Sequence, residues 1–473
     1  MVFSSISFLV YFLPVVLALY YLIPVRFRPA RNTVLLVASL VFYACGGVRY
    51  LALMAAIIAT DYICGLQCQE QYSAERRRGG VIASVVISLA LLGWFKYAGF
   101  FTANLAALGI PVRVLSIALP VGLSFYTFQG LSYVIDAYRG KVPVQKNPAS
   151  LALYISLFPQ LVAGPIVRYS DIVNEIDHRK ETVEDWSAGF TRFCFGLGKK
   201  MLLANTMGNI ADAAFAVPAE SLPASMAWVG ILAYTMQIYL DFSAYSDMAI
   251  GLGRMFGFHF LENFNYPYIS RSVTEFWRRW HISLSSWFRD YVYFPLGGSY
   301  CSRLKIIRNL TVVWLLTGFW HGANWTFIFW GVWYLAFLLG EKYLWGRRLE
   351  VLPGALQWLY TILIVIGGWV FFRSPDLHYA CRYLLSMIGM GGGLQPAHSA
   401  VYYLLEYWPE LICSLFACLP LKNRIQEHLE KKDTAFSRAV LAWGPKILAL
   451  LLLVLSYCKL VTGSFNPFIY YQF

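Results

Sequence analysis

Long apolar runs broken by short basic loops decide what this chain can become. They lie near 6–23, 31–47, 50–66, 81–97, 115–136, 188–206, 225–249, 355–372, 400–420 and 445–462. A helix needs about 20 apolar residues to cross a hydrocarbon core about 30 Å thick. Only 13% of the chain is charged, against about 25% in a soluble domain. The 16 Trp and 32 Tyr belong to types enriched where membrane meets water. The pattern predicts an all-α polytopic membrane protein with about 10–12 transmembrane helices plus re-entrant and in-plane helices. Residues 1–473 read as a single integral membrane domain, with no appended soluble domain. The first run, "SFLVYFLPVVLALYYLI", lacks a basic n-region and an A-x-A exit, so it reads as a retained span and not a cleaved signal.

The formal net charge is +13. Its Lys and Arg sit in loops between apolar runs, which assigns them to topology and not to nucleic acid. "RFRPAR" (26–31) places the first loop inside. "ERRR" (75–78) and "YRGK" (138–141) with Lys146 then fall inside at every second loop. The 9 cysteines form no CxxC or Cys/His cluster and read as small core hydrophobes. No metal site is expected. No tandem repeat or pair of inverted halves stands out.

Two places break the alternation. Segment 151–169, "LALYISLFPQLVAGPIVRY", is apolar, but Lys146 and the charged loop 168–185 flank it. If both flanks are cytoplasmic it cannot cross, and Pro159, Gly164 and Pro165 break it. A re-entrant or in-plane piece is expected, with irregular backbone buried in protein or lining a cavity. In 309–331, "NLTVVWLLTGFWHGANWTFIFWG", basic residues precede and follow the run. The 12 or so residues between Arg308 and His321 rise about 18 Å as a helix. His321 is therefore expected near mid-depth, at a Gly-Ala-Asn interruption after which the chain returns. Between the two breaks lies 265–298, too charged for a lipid-facing span. Ser272 or Thr274 can cap a helix carrying Glu275 in its first turn. On one continuous helix Trp277, His281, Leu284 and Phe288 share a face. That predicts an amphipathic helix at the inner surface presenting His281 to a cavity.

An ionisable residue inside a membrane domain is a functional candidate by default. A neutral imidazole can take a proton from a hydroxyl, a role worth about 10²–10⁴-fold in rate. His321 fits that role, and its small neighbours leave room for a substrate. Asn324 can donate a hydrogen bond. Arg278 and Arg289 near His281 suit an anionic donor, with headgroup contact as the plain alternative. Asp241 and Asp247, in "DFSAYSDM", lie on a polar helix face and are structural or functional with equal weight. There is no G-x-S-x-G elbow. A transporter with His281, His321, Asp241 and Asp247 as a proton relay, or a scaffold that recruits an external enzyme, remains open at this point.

The blocks "EFWRRWHISLSSWFRDYVYFPLGGS" and "LTGFWHGANWTFIFWG" resemble the membrane-bound O-acyltransferase family. So do "LPVGLSFYTFQGLSYVIDAYRG", "FPQLVAGPIVRY", "DFSAYSDMAIGLGRMFGF" and the terminal "FIYYQF". The similarity is to the branch that acetylates alginate, with cell-wall-modifying members next. It implies helices around a thinned central channel and a catalytic core near 115–345. It implies His321 and His281 as catalytic residues. Trp280, Asn324, Arg278, Arg289, Asp241 and Asp247 are the candidate substrate or donor contacts. The donor implied is acetyl-CoA or a carrier-protein thioester, with no bound cofactor. The implied partners are an extracytoplasmic serine-hydrolase-like acetyltransferase, a polysaccharide such as alginate and the lipid bilayer of the plasma membrane. Peptidoglycan or another wall polymer is the alternative acceptor. The branch often ends F-x-Y-F-x-F, and Tyr471 departs from it here. Tail 463–473 is expected outside, with Tyr470 as an acyl-relay candidate or an interface anchor.

Overall fold

The computed structural model describes residues 1–162, 164–392, 398–463 and 468, and these contain helices and no strand. In chain order α1 is Ser7–Leu22, α2 Arg28–Ala44, α3 Arg49–Gln67, α4 Ala74–Ala107, α5 Leu123–Tyr138, α6 Pro148–Ser156 and α7 Tyr169–His178. Residues 183–215 run on as α8 with a π-helical insert at 199–204, and α9 is Ala224–Met255. Then come α10 Val273–Arg279, α11 Ile282–Phe288, α12 Arg303–His321, α13 Trp325–Gly340, α14 Gly354–Arg373, α15 Leu377–Met387, α16 Ala400–Glu406, α17 Trp408–Ala417, α18 Leu421–Lys432 and α19 Ala435–Thr462. The chain divides into two units, residues 1–193 with 246–261, and residues 194–245 with 262–473.

Among the described residues four helices, α3, α4, α14 and α19, are long and apolar enough to cross a membrane. This is fewer than the apolar runs led one to expect. The runs at 31–47 and 115–136 form helices of 17 and 16 residues. Residues 115–120 form no helix, because Pro120 and Gly122 (φ +78°) stop it from starting before Leu123. Run 400–420 is two short helices divided at Tyr407, with Pro409 in the first turn of the second. Only 22% of the apolar window of α4 and 11% of that of α19 is buried. Such apolar faces require lipid or another apolar cover.

In the first unit α3, α4 and α5 pack on one another, and α5 is buried over residues 123–134. The segment expected to be re-entrant or in-plane folds back on itself. Helix α6 has 9 residues, which rise about 13 Å and cannot span. The chain beyond it is irregular and buried. Gln145, ahead of the piece, donates to the Tyr169 hydroxyl at its exit over 2.8 Å. Entry and exit therefore share one side. The basic loops meet there too: Arg77 donates to the Tyr138 carbonyl at 3.0 Å, and Arg28 and Arg31 of the first loop pair with Glu181.

Glu181 is the hub of this end. Tyr20 and Arg28 donate to its carboxylate, and Arg31 lies 3.1 Å away. Arg179 bonds the Ile176 carbonyl at 2.7 Å and the Phe256 carbonyl at 3.0 Å. Burial raises the Glu181 carboxyl, but the hydrogen bonds and charges of Arg28, Tyr20 and Arg179 outweigh it and hold it at about 2. An unfolded glutamate sits at 4.5, so the lowered folded value adds stability above about pH 4.5, lost as pH falls toward 2. Glu181→Gln should cost on the order of 3 kcal/mol at neutral pH. Its melting temperature should fall below the parent's at pH 7 and approach it near pH 2. Equal melting at pH 7 would contradict the hub.

In the second unit α12 and α13 form a tight hairpin. A Cβ on Gly318 would meet the Phe327 carbonyl oxygen at 2.4 Å, and one on Gly331 the Trp314 oxygen at 2.5 Å. Only glycine admits that approach. Arg303 at the base lies over the Tyr343 ring at 4.5 Å, so the chain returns to where it entered. The 19 residues of α12 rise about 27 Å from Arg303 to His321. His321 stands at the tip of the hairpin.

Candidate active site

The tip is set by local sequence. Gly322 (φ −172°) is extended and ends α12 at His321. Asn324 starts α13, its Oδ1 accepting from Thr326 N at 3.1 Å and its Nδ2 donating to the Pro375 carbonyl at 2.9 Å. Both ends of the Asn324 amide are thus engaged in holding the turn. The His321 ring is 6% exposed. Trp320, Trp330 and Phe372 stand edge-on to it at 5.0, 4.9 and 5.1 Å between centroids.

His281 is not on a continuous helix, which corrects the sequence expectation. Ser272 caps α10, accepting from Glu275 N at 3.0 Å, but the helix ends at Arg279. His281 sits in the left-handed region, φ +43° and ψ +55°, a conformation that costs about 1–2 kcal/mol in a non-glycine residue. Asn263 makes it possible. Its carbonyl accepts from Ile282 N at 2.9 Å. Its Oδ1 accepts from Ser283 N at 3.2 Å and from Ser283 Oγ at 2.9 Å. The same Oδ1 lies 3.1 Å from His281 Nδ1. An oxygen already receiving a backbone N–H is an acceptor, so Nδ1 carries the proton and donates to it. The neutral ring then turns an unprotonated Nε2 away from Asn263. That Nε2 is buried and meets no hydrogen-bond partner among the described residues.

The two imidazoles share one indole neighbour. Trp320 lies 5.0 Å from His321 and 6.0 Å from His281 between centroids. Phe242 closes the other side of His281 at 4.7 Å. Helix α10 is fastened to the hairpin base by Glu341, whose carboxylate accepts from Val273 N at 2.6 Å and from Thr274 N at 2.9 Å. Trp277 packs into Trp314 at 4.8 Å and Tyr334 at 4.9 Å. An imidazole in an apolar box and a second imidazole with a fixed lone pair suit proton removal from a hydroxyl.

The remaining predicted residues lie elsewhere. Trp280 is buried among Phe264 and Trp369 at 5.1 and 4.9 Å. Asp241 pairs with Lys200 at 2.8 Å, both buried, and Phe468 lies under that ammonium at 4.6 Å. Asp247 pairs with Arg192 at 2.8 Å. Arg278 is exposed, and Arg289 pairs with its neighbour Asp290 at 2.7 Å. Tyr470 lies outside the described residues. Phe468, two positions earlier, is buried against Tyr245. Asn263 and Glu341 escaped the sequence reading. Nothing in spacing links Asn263 to His281, and Glu341 reads as an ordinary loop charge.

Comparison with known proteins gives a family match and several relatives. Residues 143–372 match the model of the membrane-bound O-acyltransferase family. The whole chain is 42% identical to the whole of the probable alginate O-acetylase AlgI of Azotobacter vinelandii. Over 83% of the chain it is 34% identical to the peptidoglycan O-acetyltransferase of Helicobacter pylori, covering 80% of that protein. Over 55% of the chain it is 27% identical to the teichoic acid D-alanyltransferase of Bacillus subtilis, covering 70% of that protein.

Proposed function

The chain belongs to the membrane-bound O-acyltransferase family, and from that premise we propose that it moves an acetyl group from a cytoplasmic thioester to the outside of the cell, where a polysaccharide is O-acetylated. The observation that carries the reading is the pair of shielded imidazoles that both contact the ring of Trp320. His321 takes the proton of an acceptor hydroxyl. The resulting oxygen attacks the thioester carbonyl, the carbon–sulfur bond breaks, and the proton passes to the departing thiolate. Products are an acetyl ester and a free thiol. His281, with Nε2 as acceptor, receives a hydrogen bond from an N–H or O–H of a substrate and so orients it. Charge stabilisation by His281 would first require its protonation.

Alginate is the favoured acceptor, because full-length relatives 42% and 40% identical are named for it. The peptidoglycan relative makes a wall polymer the second reading. The donor is acetyl-CoA or a carrier-protein thioester. The enzyme is placed as a multi-pass protein of the inner membrane, working with an extracytoplasmic serine-hydrolase-like transferase. Tyr470 is the proposed acyl carrier between the two.

Expression in a strain whose own acetylating membrane protein has been deleted tests this. Ester-bound acetate should return to the exported alginate, and Tyr470→Phe should return much less. Normal membrane levels with no acetate on any exported polymer would contradict the proposal.

A further inference from the structure

The first unit buries a carboxyl group that the proposed reaction does not use. Asp61 stands on α3, wholly buried. The distance along the helix to its end at Gln67 is about 9 Å. Asp61 Oδ1 accepts from Ser84 Oγ of α4 at 2.8 Å. Its Oδ2 meets no hydrogen-bond partner among the described residues. That oxygen presses on α5, where a Cβ on Gly130 would stand 1.8 Å from it. No Lys, Arg or His pairs with Asp61 among the described residues. The titratable groups beside it are the Cys64 thiol of its own helix and the Tyr133 phenol of α5, and neither is a cation. Helix α4 faces it with Ser84. A carboxylate left uncompensated in an apolar bundle is strongly unfavourable, and an ionisable residue in a membrane helix is a functional candidate by default.

Two further oxygens lie at the next level. Ser88 is one turn along α4 from Ser84, and Thr127 is one turn back along α5 from Gly130. Both are wholly buried, and neither hydroxyl meets a partner among the described residues. The three helices are aligned by their ends. Cys68 Sγ, just past α3, reaches the Arg77 carbonyl at 4.0 Å, and Arg77 donates to the Tyr138 carbonyl at 3.0 Å. Helices α3 and α5 therefore run parallel, and α4 runs against them. Ser88 and Thr127 then fall on the same side of Asp61, away from that shared end. Side chains lean toward the N-terminus of their helix. This tips Asp61 toward the level of Ser88 and Thr127, and tips Ser88 toward Asp61.

We infer that Asp61 anchors a binding site for one small monovalent cation, completed by the hydroxyl oxygens of Ser88 and Thr127. One positive charge cancels the one negative charge, whereas a divalent ion would leave an excess buried. A proton would neutralise the carboxyl but leave both hydroxyls without a partner. The oxygens are hard ligands. Among the described residues no three His, Cys, Asp or Glu side chains gather for a transition metal. A cation here ties α3, α4 and α5 together, and the site stands independently of the acyltransferase reading.

The test uses the purified full-length protein with sodium chloride as probe and choline chloride at the same ionic strength as control. Sodium should raise the melting temperature along a saturating curve, and Asp61→Asn should abolish the rise. Ser88→Ala keeps the carboxylate and removes one oxygen, so its half-saturating sodium concentration should increase about tenfold. Dicyclohexylcarbodiimide, which adds to a protonated buried carboxyl and leaves an N-acylurea, supplies the second readout. Mass spectrometry should find the label on Asp61 in choline and much less of it in sodium. Equal melting in the two salts overturns the site. A sodium effect that Asp61→Asn or Ser88→Ala leaves unchanged also overturns it. Labelling of Asp61 to the same extent in both salts would show that a proton alone neutralises the carboxyl, and overturns the cation assignment.

Discussion

Replacing His321 with alanine should reduce acetyl transfer by about 10²–10⁴-fold, with the protein still present in the membrane. Its ring stands at the hairpin tip inside a box of Trp320, Trp330 and Phe372. Such a box supplies no charge and little competition for the proton. Alanine also removes packing, so His321→Phe is the cleaner variant. It restores a ring of similar size to edge-on aromatic neighbours and should fold normally. Acetate content of the polymer and membrane abundance are the two readouts. Phenylalanine with parental acetylation would show that the imidazole is packing alone.

The second large effect is expected at Asn263. Its Oδ1 fixes the His281 proton on Nδ1, and its carbonyl holds Ile282 behind the left-handed turn. Asn263→Ala should lose about 10²-fold in kcat, the lower end of what a positioned acid–base group contributes. Asn263→Asp keeps an acceptor at the same place and should recover part of that loss. Its carboxylate also favours the imidazolium, so the acid limb of the pH–rate profile should move to higher pH. A merely structural role would show the loss without that shift. Equal pH profiles for Asn263→Asp and parent would contradict the assignment.

Much of this was legible in the sequence where local chemistry decides. Pro159, Gly164 and Pro165 announce the break in the segment, and the contact of Gln145 with Tyr169 brings its two flanks together. Gly322 and Asn324 announce the hairpin tip through their backbone and capping preferences. Pro120 and Gly122 carried a signal that the length of the apolar run obscured. His281 was misplaced for another reason. "FWRRWHISLS" holds no Gly or Pro and reads as one helix, yet Asn263, 18 positions earlier, supplies the bonds that break it. Likewise Lys200 meets Asp241 and Arg192 meets Asp247 only after the chain has folded. Periodicity sees which face a residue occupies, not which distant charge it will find.

The proposed reaction has the two imidazoles in contact with Trp320 act on a thioester. The direct measurement gives purified full-length protein a radiolabelled acetyl thioester with a polymer acceptor, and counts label leaving the donor. Labelled ester and free thiol should appear in equal amounts with the parent protein, and near background with His321→Phe. Equal donor consumption by the two proteins, or none by either, would contradict the account.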